Sequence, residues 1–149
     1  MVTAYHEVSK ESLGDVLKHG LKRVSRGEKS DDQIIYKTDQ FLDNRRPNKL
    51  AQAGVSRGNN VYAYVAIHDH ILDITDGKLV AVPEFIQKSE QCVLRLSLDS
   101  TKCFVSDLDT YDRLKQAIKN NESLGIQEDL AKKYWTKVLP FYEYDRNKI

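Results

Sequence analysis

Apolar positions near the start of the chain change from a two-residue spacing to a helical one. Residues 3–8 form an alternating run typical of a strand, and Ser9 then offers a helix N-cap. Gly20 suits the left-handed residue that ends a helix. Between these two caps the apolar residues recur at helical spacing, at Leu13, Val16 and Leu17. The pattern predicts a strand followed directly by an amphipathic helix.

The rest of the chain mixes short strands with helices. Strands are predicted at 33–37, 61–67, 71–74, Cys92–Leu98, 102–106 and 138–144. Helices are predicted from Thr38, from Pro47 and from Pro83, and over 109–119 and 127–138, with loops at 26–32 and 54–60. This order lacks the regular alternation of a doubly wound sheet. We therefore predict an α+β fold in which helices flank a mostly antiparallel, split sheet.

Composition supports one compact domain over residues 1–149. The chain is 40% apolar and 30% charged, which is enough for one core. Its net charge of +1 excludes strong attraction of the whole protein to nucleic acid. The charge is uneven, however, because ten basic and five acidic residues give residues 18–57 a local charge of +5. That segment is the candidate surface for an anionic ligand.

The sequence gives no sign of a membrane segment or a metal site. No stretch approaches the roughly 20 apolar residues of a membrane helix, and no signal-peptide layout is present, so we expect a cytoplasmic protein with no membrane partner. Cys92 and Cys103 lie in apolar runs without metal-ligand spacing, and we interpret them as reduced core thiols. The close pair His68 and His70 is interpreted as a turn at a strand end, with no metal expected.

Several common catalytic motifs are missing from the sequence. It has no Walker loop, no glycine-rich turn between a strand and a helix, and no serine nucleophile elbow. Kinases, simple dehydrogenases and α/β-hydrolases are therefore disfavoured.

The first twenty residues carry the most specific pattern. Tyr5 and His6 lie on the predicted strand, and the helix after them has the spacing Leu-x-x-Val-Leu-x-x-Gly-Leu, at Leu13, Val16, Leu17, Gly20 and Leu21. This resembles the opening of the ADP-ribosyltransferase superfamily in its histidine-type branch, which includes the poly(ADP-ribose) polymerases, diphtheria-type toxins and tRNA 2′-phosphotransferases. Glu7 stands where that branch has a glycine whose backbone groups contact the nicotinamide amide. The alternative is a half-buried structural histidine.

The resemblance implies an ADP-ribosyltransferase-like fold with NAD as cofactor, contacted by His6 and Ser9. It also implies that Tyr36, on a second predicted strand at 33–37, stacks on the nicotinamide ring. The alternative for Tyr36 is packing within the sheet. Residues 61–67 correspond to the family's third strand, whose tyrosines fit core packing better.

A late carboxylate is the third implied catalytic element. It stabilises the positive charge that develops on the ribose as nicotinamide leaves. Glu143, on the predicted terminal strand, is the preferred acid, because small bacterial members often place it there. Glu90, before the strand Cys92–Leu98, is the alternative acid.

Arg45 and Arg46 are the candidate ligands for the pyrophosphate of NAD, because guanidinium groups form bidentate contacts with phosphate. Contact with a nucleic-acid backbone and a solvated helix face are the alternatives. Asp39 and Asp43 on the same stretch partly neutralise a nucleic-acid track, which favours cofactor binding or structural pairing.

Two functions from different classes follow. The first is NAD-dependent ADP-ribosyl transfer, or a related phosphate-directed transfer, to a protein or nucleic-acid acceptor. The second is a non-catalytic module that recognises nucleic acid or a protein partner through its basic 18–57 segment.

Overall fold

The computed structural model describes residues 2–21, 33–66, 69–73 and 78–143. Its contacts cluster into two compact units, which are described separately below. The sheet unit comprises Met1–Lys22 and Val61–Cys103, and the helical unit comprises Arg23–Asn60 and Phe104–Ile149. In chain order the elements are β1 (Val2–Val8), α1 (Lys10–His19), α2 (Gln33–Asp43), α3 (Asn48–Gln52), β2 (Tyr64–Val65), β3 (His70–Asp73), β4 (Lys78–Ala81), α4 (Val82–Lys88), β5 (Cys92–Leu98), β6 (Phe104–Val105), α5 (Leu108–Lys119), α6 (Leu124–Thr136) and β7 (Leu139–Pro140).

The sheet unit is built around β1, the middle strand of an antiparallel sheet of order β2-β1-β5. β1 pairs with β5 along its whole length, from Val2 opposite Leu98 to Val8 opposite Cys92. Its pairing with β2 is confined to Ala4 and Tyr5. One edge of β1 is thus paired along its whole length, whereas the other is paired only near its start and, among the described residues, is left without a partner strand beyond Tyr5.

One face of this sheet carries the sheet unit's apolar core. Buried Tyr5 packs with Ile71 and Val82, which come from β3 and the start of α4. Tyr64 and Phe85 extend the cluster, with their rings edge to face at a centroid distance of 5.3 Å. The tyrosine of β2 therefore packs in the core, as its strand position predicts.

The predicted strand and helix at the start of the chain are confirmed. The Ser9 hydroxyl accepts a hydrogen bond from the Ser12 amide, which caps α1. Gly20, at φ +85°, ends the helix in a conformation that favours glycine.

The helical unit packs α2, α5 and α6 around one apolar core. The buried members of this core come from these helices and from the segments beside them, and are Leu42, Val55, Tyr111, Leu114, Ala131, Tyr134, Trp135 and Val138. The Trp135 indole N–H donates to the Leu42 carbonyl oxygen at 2.9 Å, so the indole is also hydrogen-bonded.

The strand predicted at 33–37 is wrong, because these residues form the first turns of α2. Ile34, Thr38 and Leu42 lie one turn apart on one helix face, and both Thr38 and Leu42 are fully buried. The Thr38 hydroxyl donates to the Ile34 carbonyl oxygen at 2.7 Å, so Thr38 lies within the helix and does not cap it. A short apolar run does not distinguish a strand from a buried helix segment.

Several predicted boundaries also change. The terminal strand is only Leu139–Pro140, and residues 141–143 are helical, since proline has no N–H for a ladder. The strand predicted at 61–67 is reduced to Tyr64–Val65 among the described residues. Pro47 is the N-cap of α3, and α6 begins earlier than predicted, capped by Ser123. The predicted loop 26–32 lies outside the described residues.

The α+β class is confirmed, because helices are mixed with small antiparallel sheets of three, two and two strands. Among the described residues, no helix has the length and apolar character required to cross a bilayer. Cys92 and Cys103 are free thiols, half-buried where a core position was expected. Burial raises the pKa of the Cys103 thiol, and the nearby Asp99 charge raises it further.

Candidate functional site

His6 lies on the central strand β1 and has a fixed ring orientation. Its Nδ1 is 2.6 Å from the Tyr62 carbonyl oxygen. A carbonyl oxygen only accepts hydrogen bonds, so Nδ1 must carry the proton and donate it. In the neutral ring Nε2 therefore keeps its lone pair, which is available to a hydroxyl donor.

The Nε2 atom of His6 is not sealed inside the protein. No described residue hydrogen-bonds to it, and in the described part of the chain no buried side-chain nitrogen or oxygen lacks a partner. An atom without a partner must therefore contact solvent. The surroundings on the same face are apolar, because Ala4 and Val8 are buried and Leu94 lies directly opposite His6.

The backbone of Glu7 is open beside His6. The Thr3 carbonyl oxygen accepts from the Ala66 amide, so the odd-numbered residues of β1 point their backbone groups toward β2. The register of β1 and β2 would place Tyr62 opposite Glu7, but the ladder ends at Tyr5. Within the described chain, Glu7 therefore presents an N–H donor and a C=O acceptor without backbone partners.

The Glu7 side chain lies on the opposite face of the sheet from His6, because successive strand residues alternate. Its Oε2 accepts a hydrogen bond from the Ser89 hydroxyl at 2.5 Å. The carboxylate thus leaves the space in front of the His6 ring clear.

Ser9, the other predicted cofactor ligand of the sheet unit, is used in helix capping. Its hydroxyl oxygen accepts from the Ser12 amide and its hydroxyl proton is donated to the Ser12 Oγ at 2.9 Å. A ligand that uses Ser9 must replace one of these local bonds.

Tyr36 lies on α2 of the helical unit, so the predicted strand position of this residue is wrong. Its hydroxyl oxygen accepts a hydrogen bond from the Gln40 side-chain amide, one helical turn away, at 2.9 Å. The short apolar run that suggested a ring-stacking tyrosine on a strand is part of an amphipathic helix, and Tyr36 occupies an ordinary position on it.

The two candidate acids lie in different units. Glu143 belongs to the helical residues after β7 and not to a terminal strand, which corrects its predicted setting. The Tyr142 hydroxyl is 3.5 Å from its Oε1. Glu90 is exposed in the bend before β5, within the sheet unit that also holds His6.

Arg45 and Arg46, the predicted pyrophosphate ligands, already donate within the helical unit. Arg45 forms a bidentate pair with Glu128 at 2.7 and 2.8 Å, and its guanidinium lies 3.5 Å from the centre of the Phe41 ring. The hydrogen bond from Arg45 lowers the pKa of the Glu128 carboxyl. Arg46 donates to the Val55 carbonyl oxygen at 3.0 Å. This geometry supports the structural-pairing alternative for the basic segment.

The helical unit contains a buried polar cluster that the sequence analysis did not predict. Arg57 Nε is 3.4 Å from an Asp39 carboxylate oxygen, and the Tyr111 hydroxyl donates to the same oxygen at 2.8 Å. The Arg57 guanidinium lies 3.9 Å from the centre of the Tyr111 ring and donates to the Tyr134 hydroxyl at 3.3 Å. Burial raises the pKa of Tyr111, and the Asp39 charge raises it further.

Asp43, one helical turn after Asp39, holds the neighbouring loop. Its carboxylate accepts hydrogen bonds from the Ser56 hydroxyl and from the Arg57 and Gly58 amides, at 2.8–3.0 Å. A Cβ atom on Gly58 would lie 3.1 Å from this carboxylate, which explains the glycine. In the sequence, only the spacing Asp39-x-x-x-Asp43 had pointed to the buried Asp39 cluster or to the hydrogen bonds of Asp43.

The predicted site residues thus divide between the two units. The sheet unit holds His6, Ser9 and Glu90, and the helical unit holds Tyr36, Arg45, Arg46 and Glu143. The described residues contain no cluster of three or more His, Cys, Asp or Glu side chains that could hold a metal ion. His68, part of the only close histidine pair considered for a metal, lies outside them.

Comparison with protein-family models, with curated proteins and with solved structures gives no significant match for this chain.

Replacing Arg57 by Met should strongly destabilise the helical unit, because the buried Asp39 carboxylate loses the ion pair with the Arg57 guanidinium. We expect the free energy of unfolding to fall by about 3–5 kcal/mol. The matched control is Lys49→Met, an exposed cation on α3, with a change within about 0.5 kcal/mol. Urea unfolding of both variants is the measurement. Equal effects of the two substitutions would show that the Arg57 cluster does not stabilise the fold.

Proposed function

We propose that the chain is an NAD-dependent ADP-ribosyltransferase, or a related phosphate-directed transferase, whose NAD site centres on His6. The observation that carries the proposal is the pair of groups at the open end of β1. His6 offers an accessible Nε2 lone pair, and the adjacent Glu7 offers an unpaired backbone N–H and C=O.

The Glu7 backbone suits a carboxamide. A primary amide has two N–H donors and one C=O acceptor, and its C=O together with one N–H is complementary to the donor and acceptor of a single open strand residue. The resemblance to the histidine-type branch assigns the same role to this position, normally a glycine. The Glu7 side chain points to the other sheet face, so its presence is compatible with a nicotinamide at the backbone.

His6 suits a ribose hydroxyl. Because Nδ1–H is donated to the Tyr62 carbonyl, Nε2 accepts a hydrogen bond from the sugar hydroxyl without a change of tautomer. When bound, NAD supplies an ADP-ribosyl group as the bond between ribose C1′ and the nicotinamide nitrogen breaks. The acceptor nucleophile, in a protein or a nucleic acid, then bonds to C1′.

A carboxylate near the ribose completes the proposed chemistry, since positive charge develops there. We assign this role to Glu90, which is exposed and belongs to the same unit as His6. Glu143 is the alternative acid. Tyr36 receives no role in the proposal, because it lies on α2 and not on a strand.

The binding-module alternative receives less support from the described residues. It requires the basic 18–57 segment to present accessible cations. Arg45 and Arg46 donate to partners within the helical unit and Arg57 is buried, so among the described arginines of this segment none is left open for a partner, and its exposed described cations are lysines such as Lys37 and Lys49.

His6→Ala should remove NAD binding with little loss of fold. NAD at 100 times its Kd stabilises a folded protein by about 2.7 kcal/mol, so the wild type should show a clear rise in Tm. His19→Ala is the matched control, because His19 is an exposed histidine at the end of α1, and it should keep the whole rise. Thermal unfolding with and without NAD is the measurement. An absent rise in the wild type, or the same rise in His6→Ala, would contradict the proposed site.

Glu90→Gln should lower the rate of nicotinamide release by about 100-fold or more, because the charge that stabilises the transition state is lost. The NAD-dependent rise in Tm should persist, since the side chain keeps its size. Glu143→Gln is the comparison and should release nicotinamide at the wild-type rate. The reverse pattern would assign the acid to Glu143. Wild-type rates for both variants would contradict a catalytic role for either carboxylate.

A further inference from the structure

We infer that Ser89 is a positioning residue, which holds the Glu7 carboxylate and thereby fixes the Glu7 backbone for the nicotinamide amide. This inference rests on the function proposed above. It concerns a residue that lies 82 positions away along the chain, in the turn between α4 and β5.

The hydrogen bonds around Ser89 determine the direction of its hydroxyl. The Gln91 amide donates to Ser89 Oγ at 3.2 Å, and Oγ lies 2.5 Å from Glu7 Oε2. Ser89 Oγ has two acceptors in reach, the Glu7 carboxylate and the Gln91 carbonyl oxygen at 3.4 Å, and the much shorter distance assigns the single hydroxyl proton to Glu7. The distance is typical of a charge-assisted hydrogen bond, which is stronger than one between neutral groups.

The backbone of Ser89 is itself well held. Its amide caps α4 by donating to the carbonyl oxygens of Phe85 and Ile86, at 3.1 and 3.3 Å. Phe85 packs in the core of the sheet unit against Tyr64. Ser89 therefore joins the Glu7 side chain to the packed part of the unit.

Glu7 needs such an anchor because β1 has, in the described part of the chain, a partner strand on only one side at this position, and the Glu7 backbone groups face the other side. The neighbours His6 and Val8 point their backbone groups at β5, whereas the Glu7 groups point past the end of β2. A strand residue without ladder bonds samples more conformations, which weakens binding by a fixed donor and acceptor pair. The Ser89 hydrogen bond restricts Glu7 from the other sheet face.

The alternative is that Ser89 only stabilises the turn before β5. A purely structural role would lower Tm but would leave the affinity of the folded protein for NAD unchanged. A positioning role raises the Kd for NAD and for free nicotinamide at a temperature where every variant is folded. The two roles are therefore separated by the binding constant and not by stability.

The experiment compares Ser89→Ala, Ser89→Thr, Glu7→Ala and the double variant with Ser97→Ala. Ser97 is an exposed serine on β5 and serves as the matched control. We expect Kd for NAD and nicotinamide, measured by calorimetry, to rise about tenfold in Ser89→Ala, roughly what one charged hydrogen bond contributes. Glu7→Ala should show the same rise, and the double variant no further one, because both changes remove the same interaction. Ser89→Thr and Ser97→Ala should bind as the wild type does.

The outcomes separate this inference from the proposed function. Wild-type affinity in folded Ser89→Ala or Glu7→Ala would overturn the positioning role and leave the NAD site intact. No binding by the wild type would overturn the proposed function, and the inference with it. If Ser89→Ala does not fold, Glu7→Ala removes the same hydrogen bond from its other partner and gives the same comparison.

Discussion

The unequal pairing of β1 is the constraint on which the rest of the sheet unit depends. β5 is paired with all seven residues of the strand, whereas the register with β2 covers only Ala4 and Tyr5, with one further backbone hydrogen bond from the Ala66 amide to the Thr3 carbonyl oxygen. The Tyr62 carbonyl, which the same register would place opposite Glu7, instead accepts the imidazole proton of His6. The histidine thus takes the place of a ladder bond. Both open groups at this end of the strand, Nε2 and the Glu7 backbone, follow from that one exchange.

The helical unit shows why its basic residues are poor candidates for ligand binding. Arg57 is buried between a carboxylate and two aromatic rings, so removing either charge would take an oppositely charged neighbour from a buried group. Arg45 forms a bidentate pair with Glu128 on α6. Three of the ten basic residues in the segment 18–57, Arg45, Arg46 and Arg57, therefore connect α2 and its following loop to the rest of the unit.

Local signals in the sequence predicted much of the fold, whereas contacts between distant residues were missed. The caps Ser9 and Gly20 identify α1, and the alternation of Cys92–Leu98 identifies β5. Tyr36 was misplaced because a three-residue apolar run, Ile34 to Tyr36, fits a helix as well as a strand. Likewise, His6 was singled out from its neighbours, but its tautomer depends on a carbonyl 56 positions away, which no local pattern reveals. The same holds for Ser89 and Glu7.

The tautomer of His6 tests the central claim most directly, because the site depends on an Nε2 lone pair. Long-range ¹⁵N–¹H NMR of the imidazole side chains, recorded at pH 8 with and without NAD, reports which ring nitrogen carries the proton. We expect a proton on Nδ1 of His6 in the free protein. We also expect NAD to shift the His6 Nε2 resonance and to leave that of His19 unchanged. A proton on Nε2 in the free protein, or a His6 resonance that NAD does not move, would contradict the central claim.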